Sequence, residues 1–263
     1  MSESAPRLID SGGCRLHVQI DGPADAPVLM LSNSLCTDLR MWDDQIPAFT
    51  SRFKVVRYDR RGHGKSDVPR GPYAVDDFGR DALAIMDGLG LQKVNWCGLS
   101  MGGMVGQWLG ANAPERIERL MMSNTHSYYA DKKVWDDRMA LASDKGMAFA
   151  AGPAMGRWFT KEAMKRRPDK VALIQSMFAE TSLEGYLGCC TAIRNMDMRP
   201  CHPRIKAPTL VIVGLQDPAT PPEAGIEVQK GIPGAKLATI DASHLSNIGQ
   251  PKAYADLVLD FLT

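Results

Sequence analysis

The chain has 263 residues, 44% of them hydrophobic and 23% charged, which is ordinary for a globular fold and argues against disorder. Its 31 basic and 30 acidic residues give a net charge of +1 with no basic block, so neither nucleic acid nor an anionic membrane is the expected partner. The start, Met1 to Arg7, lacks a charged and then apolar leader, apolar runs such as 28–31 and 209–213 are strand-sized, and the six cysteines fit neither a zinc spacing nor a disulfide framework. We therefore expect a cytoplasmic protein that takes a small ligand and has no metal site.

The first 120 or so residues alternate strand-like and helix-like segments, the pattern of a sheet covered by helices. Residues 14–20 alternate polar and apolar positions, as a half-buried strand does, and Asp21-Gly22-Pro23 breaks the run. Residues 27–31 and 53–58 read as further strands, the second running into the Gly-rich turn Arg61-Gly62-His63-Gly64. From Val75 to Leu89, Phe78, Leu83, Ile85, Met86 and Leu89 fall mostly at helical spacing, and Gly90 stands where a C′ residue would. Residues 94–97 form a short apolar strand that leads directly into Gly98.

Between about Asn124 and Pro203 methionine and tryptophan become frequent and strand signals fade, so 125–203 reads as a helical lid insertion. Strand chemistry returns at 208–213 and 236–241, and a helix over 252–262 closes the chain. The expected division is one core, 1–124 with 204–263, interrupted by the insertion.

Gly98-Leu99-Ser100-Met101-Gly102 is a G-x-S-x-G pattern between an apolar strand and a helix beginning near Met101. A serine on such a turn is strained and lifted out of the sheet, and the new helix aims its first N–H groups at an oxyanion. A hydroxyl is a weak nucleophile and needs a positioned base. Of five histidines, His244 follows a strand in a short polar loop, Ala242-Ser243-His244, at the sheet end where Ser100 should emerge. His17 lies mid-strand as a packing or surface residue, and His63 suits a structural hydrogen bond. His126 and His202 border the insertion without catalytic context. Asp217, three residues past the buried strand ending Val213-Gly214, is the expected orienting acid, with Asp241 as its rival. The chain order Ser100, Asp217, His244 is the one this strand-turn-helix arrangement requires. Two N–H donors should serve the oxyanion: that of Met101, and that of Leu35 in the loop after the strand ending at Leu31.

Taken together, the Gly-Leu-Ser-Met-Gly-Gly elbow, residues 58–66 (Tyr-Asp-Arg-Arg-Gly-His-Gly-Lys-Ser) and the Asp-Ala-Ser-His loop resemble the α/β-hydrolases from end to end. That resemblance implies a mostly parallel central sheet flanked by helices. More narrowly, Leu31-Ser32-Asn33-Ser34-Leu35, then Thr37 to Trp42, Gly71-Pro72-Tyr73 and Asp241 to Ile248 resemble the 3-oxoadipate enol-lactonases of the β-ketoadipate pathway. Cys36 departs from that pattern, where those enzymes usually carry glycine. The resemblance implies a cofactor-free enzyme that hydrolyses 3-oxoadipate enol-lactone, a lactone bearing a carboxylate, to 3-oxoadipate in aromatic catabolism. Trp135 and Arg138, three apart on one helix face, are the candidates to hold that carboxylate, with Arg157 and Arg194 as alternatives. The same machinery serves carboxylesterases, perhydrolases and carbon–carbon-bond hydrolases, and a ligand-binding receptor on the same fold is the non-enzymatic alternative. The sequence leaves the oligomeric state open.

Overall fold

The computed structural model describes residues 7–263; Met1 to Pro6, on which the reading of the N-terminal leader mostly rests, lie outside the described residues. Eight strands form one sheet: β1 Arg7–Asp10, β2 Arg15–Asp21, β3 Val28–Ser32, β4 Lys54–Tyr58, β5 Val94–Leu99, β6 Ile117–Ser123, β7 Thr209–Gly214 and β8 Lys236–Ile240. Their order across the sheet is β1-β2-β4-β3-β5-β6-β7-β8. The β1–β2 and β2–β4 pairs are antiparallel, and every pair from β4 to β8 is parallel. β5 and β7 are buried along their whole length, as strands covered on both faces should be.

The helices are α1 Ile46–Phe49, α2 Val75–Gly88, α3 Met101–Asn112, α4 Lys133–Lys145, α5 Met147–Trp158, α6 Lys161–Arg166, α7 Pro168–Glu180, α8 Leu183–Asn195, α9 Pro222–Gly231, α10 Ser246–Gly249 and α11 Pro251–Leu262. α2 ends as the sequence reading expects. Gly90 takes φ 67°, its N–H bonds the Asp87 carbonyl, and the Leu91 N–H reaches back to the Met86 carbonyl. Five helices, α4 to α8, lie between β6 and β7, which are hydrogen-bonded neighbours in the sheet. None of the helices is long and apolar enough to cross a membrane among the described residues.

The topology decides where chemistry can sit. β4 and β5 lie on opposite sides of β3, so the winding direction reverses there and leaves a crevice beyond the carboxyl ends of β3 and β5. Ser32 on β3 is directly opposite Gly98 on β5, so the loop after β3 and the turn after β5 emerge side by side. That register brings Leu35 and Ser100 into one neighbourhood although 64 other residues separate them in the chain.

Candidate active site

Ser100 stands at the junction of β5 and α3 with φ 58° and ψ −114°, a left-handed conformation that a side chain makes costly. The surroundings hold it there. Its N–H donates to the Ser123 carbonyl at 2.8 Å, and its carbonyl accepts the Thr125 hydroxyl at 2.8 Å and the Gly103 N–H at 2.9 Å. The glycines of the turn are required by contact: a side chain at Gly98 would collide with the Gly102 carbonyl, and one at Gly102 with the Ser32 carbonyl. Small residues thus let β3, β5 and α3 close around the serine.

His244, in the loop after β8, directs Nδ1 at Asp217 Oδ2 across 2.9 Å. Asp217 follows β7 and is buried, as is His244. The carboxylate is saturated with donors: Ala219 N–H at 2.8 Å, Thr220 N–H at 3.0 Å, Thr220 hydroxyl at 2.6 Å and Asn124 Nδ2 at 2.9 Å. Burial alone would push its pKa up. The adjacent His244, and hydrogen bonds from His244 and Thr220, outweigh burial and hold the carboxyl below its ordinary range. Asp241 takes no part in this arrangement; its carboxylate is exposed and accepts Gln216 Nε2 at 2.6 Å.

The loop after β3 is pinned at many points. Asn33 donates to the Tyr58 carbonyl at 2.8 Å and accepts Trp42 Nε1 at 2.8 Å. The Ser34 N–H points at Met41 Sδ (3.4 Å) and the Cys36 N–H at His63 Nε2 (2.9 Å). Among the described residues, the N–H groups of Leu35 and Met101 donate to no protein acceptor. Cys36 takes φ 56°, the region that favours glycine.

Ser100, His244, Leu35, Trp135 and Arg138 line one small cavity of about 30 Å³, together with Ser34, Met104, Tyr129, Trp158 and Thr220. A second chamber of about 160 Å³ adjoins it through Leu35, Arg138 and Trp158, and adds Arg157, Phe178 and Tyr186. Larger hollows exist, such as one of about 450 Å³ around Arg40 and Lys65, but it contains neither Ser100 nor His244. Ser100 Oγ makes no hydrogen bond to His244 among the described residues. Such contacts are often long in ligand-free enzymes.

Helices between β6 and β7 contribute side chains above His244 and Ser100. Trp158 lies over His244 with ring centroids 6.2 Å apart and planes 30° from parallel. The Arg138 guanidinium lies 4.6 Å from the Trp135 ring centre. Trp135 Nε1 and Arg157 Nε are both buried with no hydrogen-bond partner among the described residues. Burial and then the charge of Arg138 depress the pKa of Arg157. Arg194 is engaged elsewhere, bonded to Asp136 at 2.6 and 3.1 Å.

None of the other histidines lines the Ser100 cavity, although His126 packs against its wall Tyr129, with ring centroids 4.6 Å apart. His17 is buried in β2 with Nδ1 2.8 Å from Asp59, and His202 Nε2 is 2.8 Å from Gln107 Oε1. His126 accepts the Ser127 N–H at 3.0 Å. Sequence reasoning passed over Thr220 and Asn124, which hold Asp217, and Tyr129 and Ser34 as cavity walls, whereas Trp158 stands in it only as the neighbour of Arg157. The spacing Asp217-x-x-Thr220, an Asx-type turn, was the available signal for Thr220.

Comparison with known proteins agrees with this architecture. A family model described as the alpha/beta hydrolase fold matches residues 27–251. Two curated relatives from Acinetobacter baylyi are 3-oxoadipate enol-lactonase 2, 40% identical over 89% of this chain and 87% of its own, and 3-oxoadipate enol-lactonase 1, 37% identical over 95% and 94%. The crystal structure of the enol-lactonase from Burkholderia xenovorans LB400 superposes with a TM-score of 0.93 at 42% identity, covering 99% of both chains.

Proposed function

The chain belongs to the α/β-hydrolase family, and from that premise we propose that it hydrolyses 3-oxoadipate enol-lactone, or a lactone of that class, through a covalent acyl-enzyme. Ser100 is the nucleophile in this reading, His244 its general base and Asp217 the acid that orients the histidine. The Nδ1–Asp217 contact fixes the proton on that nitrogen and leaves Nε2 free to take the serine proton. Attack on the lactone carbonyl makes a tetrahedral oxyanion, held by the N–H groups of Leu35 and Met101.

Collapse breaks the ring carbon–oxygen bond. The departing enol oxygen takes the proton from His244, and the enol becomes the ketone in the tethered acid. Water, deprotonated by His244, then attacks the Ser100 ester and frees the diacid. An enol leaves far more easily than an alkoxide, so most of the demand falls on positioning and the oxyanion donors.

The helices between β6 and β7 serve as a lid in this reading. Trp135 Nε1 and the Arg138 guanidinium hold the free carboxylate, and Arg157 adds a second cation facing the same chamber. The space beside Ser100 holds about one water. A substrate therefore extends into the neighbouring chamber, and lid side chains shift to admit it. Similarity to the enol-lactonases directs the choice of substrate. The observation that carries the chemistry is that His244, held by Asp217, shares a cavity with a strained Ser100. The test is hydrolysis of 3-oxoadipate enol-lactone by the purified chain, compared with its saturated lactone, p-nitrophenyl esters and carbon–carbon-cleavage substrates. Turnover of the first well above the others supports the reading, and an ester or diketone preferred over the lactone overturns it.

A further inference from the structure

The loop that carries Leu35 rests on the turn 59–64, and the contacts between them are specific. The Cys36 N–H meets His63 Nε2 at 2.9 Å, which makes that nitrogen the acceptor and leaves the ring proton on Nδ1. Nδ1 faces the Arg61 carbonyl at 3.3 Å. His63 is 2% exposed, and burial, reinforced by the charge of Arg60, pushes its pKa down to about 3. Its lone pair therefore stays available across the neutral range. Beside it, the Arg60 guanidinium donates to the carbonyls of Asn33 at 2.8 Å and Ser34 at 3.4 Å.

The same turn is held from the opposite side. Gly62 packs backbone to backbone on Gly185 of α8, so closely that a side chain on either would collide with the other. The turn is wedged between a helix of the insertion and the loop after β3. The peptide plane from Leu35 to Cys36 shares one Cα with the plane that carries the Leu35 N–H. Pinning the first plane limits rotation of the second.

We propose that His63 is a positioning residue: by accepting the Cys36 N–H, its imidazole holds Cys36 in its left-handed conformation and keeps the Leu35 N–H aimed at the Ser100 site. The proposal rests on the reading of Leu35 as an oxyanion donor. Its effect belongs to the transition state, because the oxyanion exists only there.

The test compares the wild type with His63→Leu, which has no acceptor, and His63→Gln, whose amide oxygen can accept. His63→Leu is expected to lower kcat about 10- to 100-fold on both enol-lactone and p-nitrophenyl acetate, with KM within about twofold. His63→Gln should recover most of that loss. The inhibition constant of a boronic acid, a tetrahedral mimic, should rise in parallel with the fall in kcat/KM. A wild-type kcat in His63→Leu, a loss confined to KM, or no recovery in His63→Gln overturns the proposal. Should His63→Leu not fold, ¹⁵N spectra of the wild type decide: a bare Nε2 and protonated Nδ1 on His63 support the proposal, and a protonated Nε2 overturns it. Ser100→Ala runs in the same assays. If it turns over at the wild-type rate, the hydrolytic reading itself fails. If it is inactive while His63→Leu is unaffected, only the role of His63 fails.

Discussion

Asn124 braces Asp217 from the neighbouring strand end: its Nδ2 donates to the carboxylate at 2.9 Å, while its amide oxygen accepts the Ser246 hydroxyl at 2.7 Å. Asn124 follows β6, Asp217 follows β7 and Ser246 lies just beyond His244, so one buried amide ties together three loops at the same end of the sheet. It does so at φ 48°, a conformation asparagine tolerates better than most residues.

From that brace follows a prediction. Asn124→Ala leaves the Asp217 carboxylate and the Ser246 hydroxyl each short of a partner, and should lower stability by about 1.5–3 kcal/mol and kcat about tenfold. Asn124→Asp sets a second carboxylate against Asp217, and like charges raise the pKa of one of them. The acid limb of its kcat–pH profile should therefore move to higher pH. Profiles of the wild type and both variants check this, and an unshifted limb in Asn124→Asp would count against the brace.

The nucleophile makes the simplest test. Ser100→Ala should reduce kcat by about 10⁴-fold or more, because only binding and the oxyanion donors then remain. Its circular dichroism and product affinity should match the wild type. A variant keeping a tenth of the activity would falsify the assignment.

Asp217→Asn should cost about 10²- to 10⁴-fold in kcat through loss of the histidine tautomer. Asp241→Asn should cost little, since that carboxylate sits on the surface with Gln216. A pH signature accompanies the first. The Asp217 pKa is depressed in the folded chain, so its stabilising contribution is complete above the ordinary carboxylate value of about 4 and disappears as pH falls through the lower folded value. Urea unfolding of wild type and Asp217→Asn should differ at pH 7 and converge in strong acid. A constant difference across that range would contradict the linkage.

Trp135→Ala should reduce kcat/KM for the enol-lactone by about 2 kcal/mol, the cost of leaving part of a buried charge unpaired. An uncharged acetate ester has no carboxylate to hold and should be nearly unaffected. Equal losses on both substrates would make Trp135 a general wall of the lid and move the carboxylate site toward Arg157.

The residues that announce themselves in the sequence are those whose backbone setting is local. The run 94–97 into Gly98 and Ser100, or 208–213 into Asp217, carries its strand, its glycine and its polar residue within ten positions. Strand β6 is not legible in the sequence, because Ile117 to Ser123 mixes Glu118 and Arg119 with Leu120, Met121 and Met122 and suits a helix as well as a strand. β1 is short and largely exposed, with no alternation to find. Asn124 looks like any loop residue until β6, β7 and β8 are laid side by side, since its partners are set by strand order, whereas the partner of Thr220 is legible in its spacing from Asp217. The bond from Cys36 to His63 is equally invisible in the sequence: it depends on β3 and β4 being neighbours, which neither segment states alone.

The chain leaves the sheet at Ser123 and re-enters at Thr209, and these two strands are already hydrogen-bonded to each other. Because the two strands are parallel, the connection runs from the carboxyl end of β6 back to the amino end of β7, and closing it costs entropy that grows only logarithmically with its length. Lengthening or shortening what lies between them therefore changes the closure entropy very little, and the constraint on the segment is the packing of core side chains such as Ile174 and Cys190. Substrate preference can diversify in that segment while Ser100, Asp217 and His244 remain where strand register puts them. The same economy makes grafting a different helical roof onto this sheet a practical route to new specificity, provided the graft keeps a glycine where Gly185 meets Gly62.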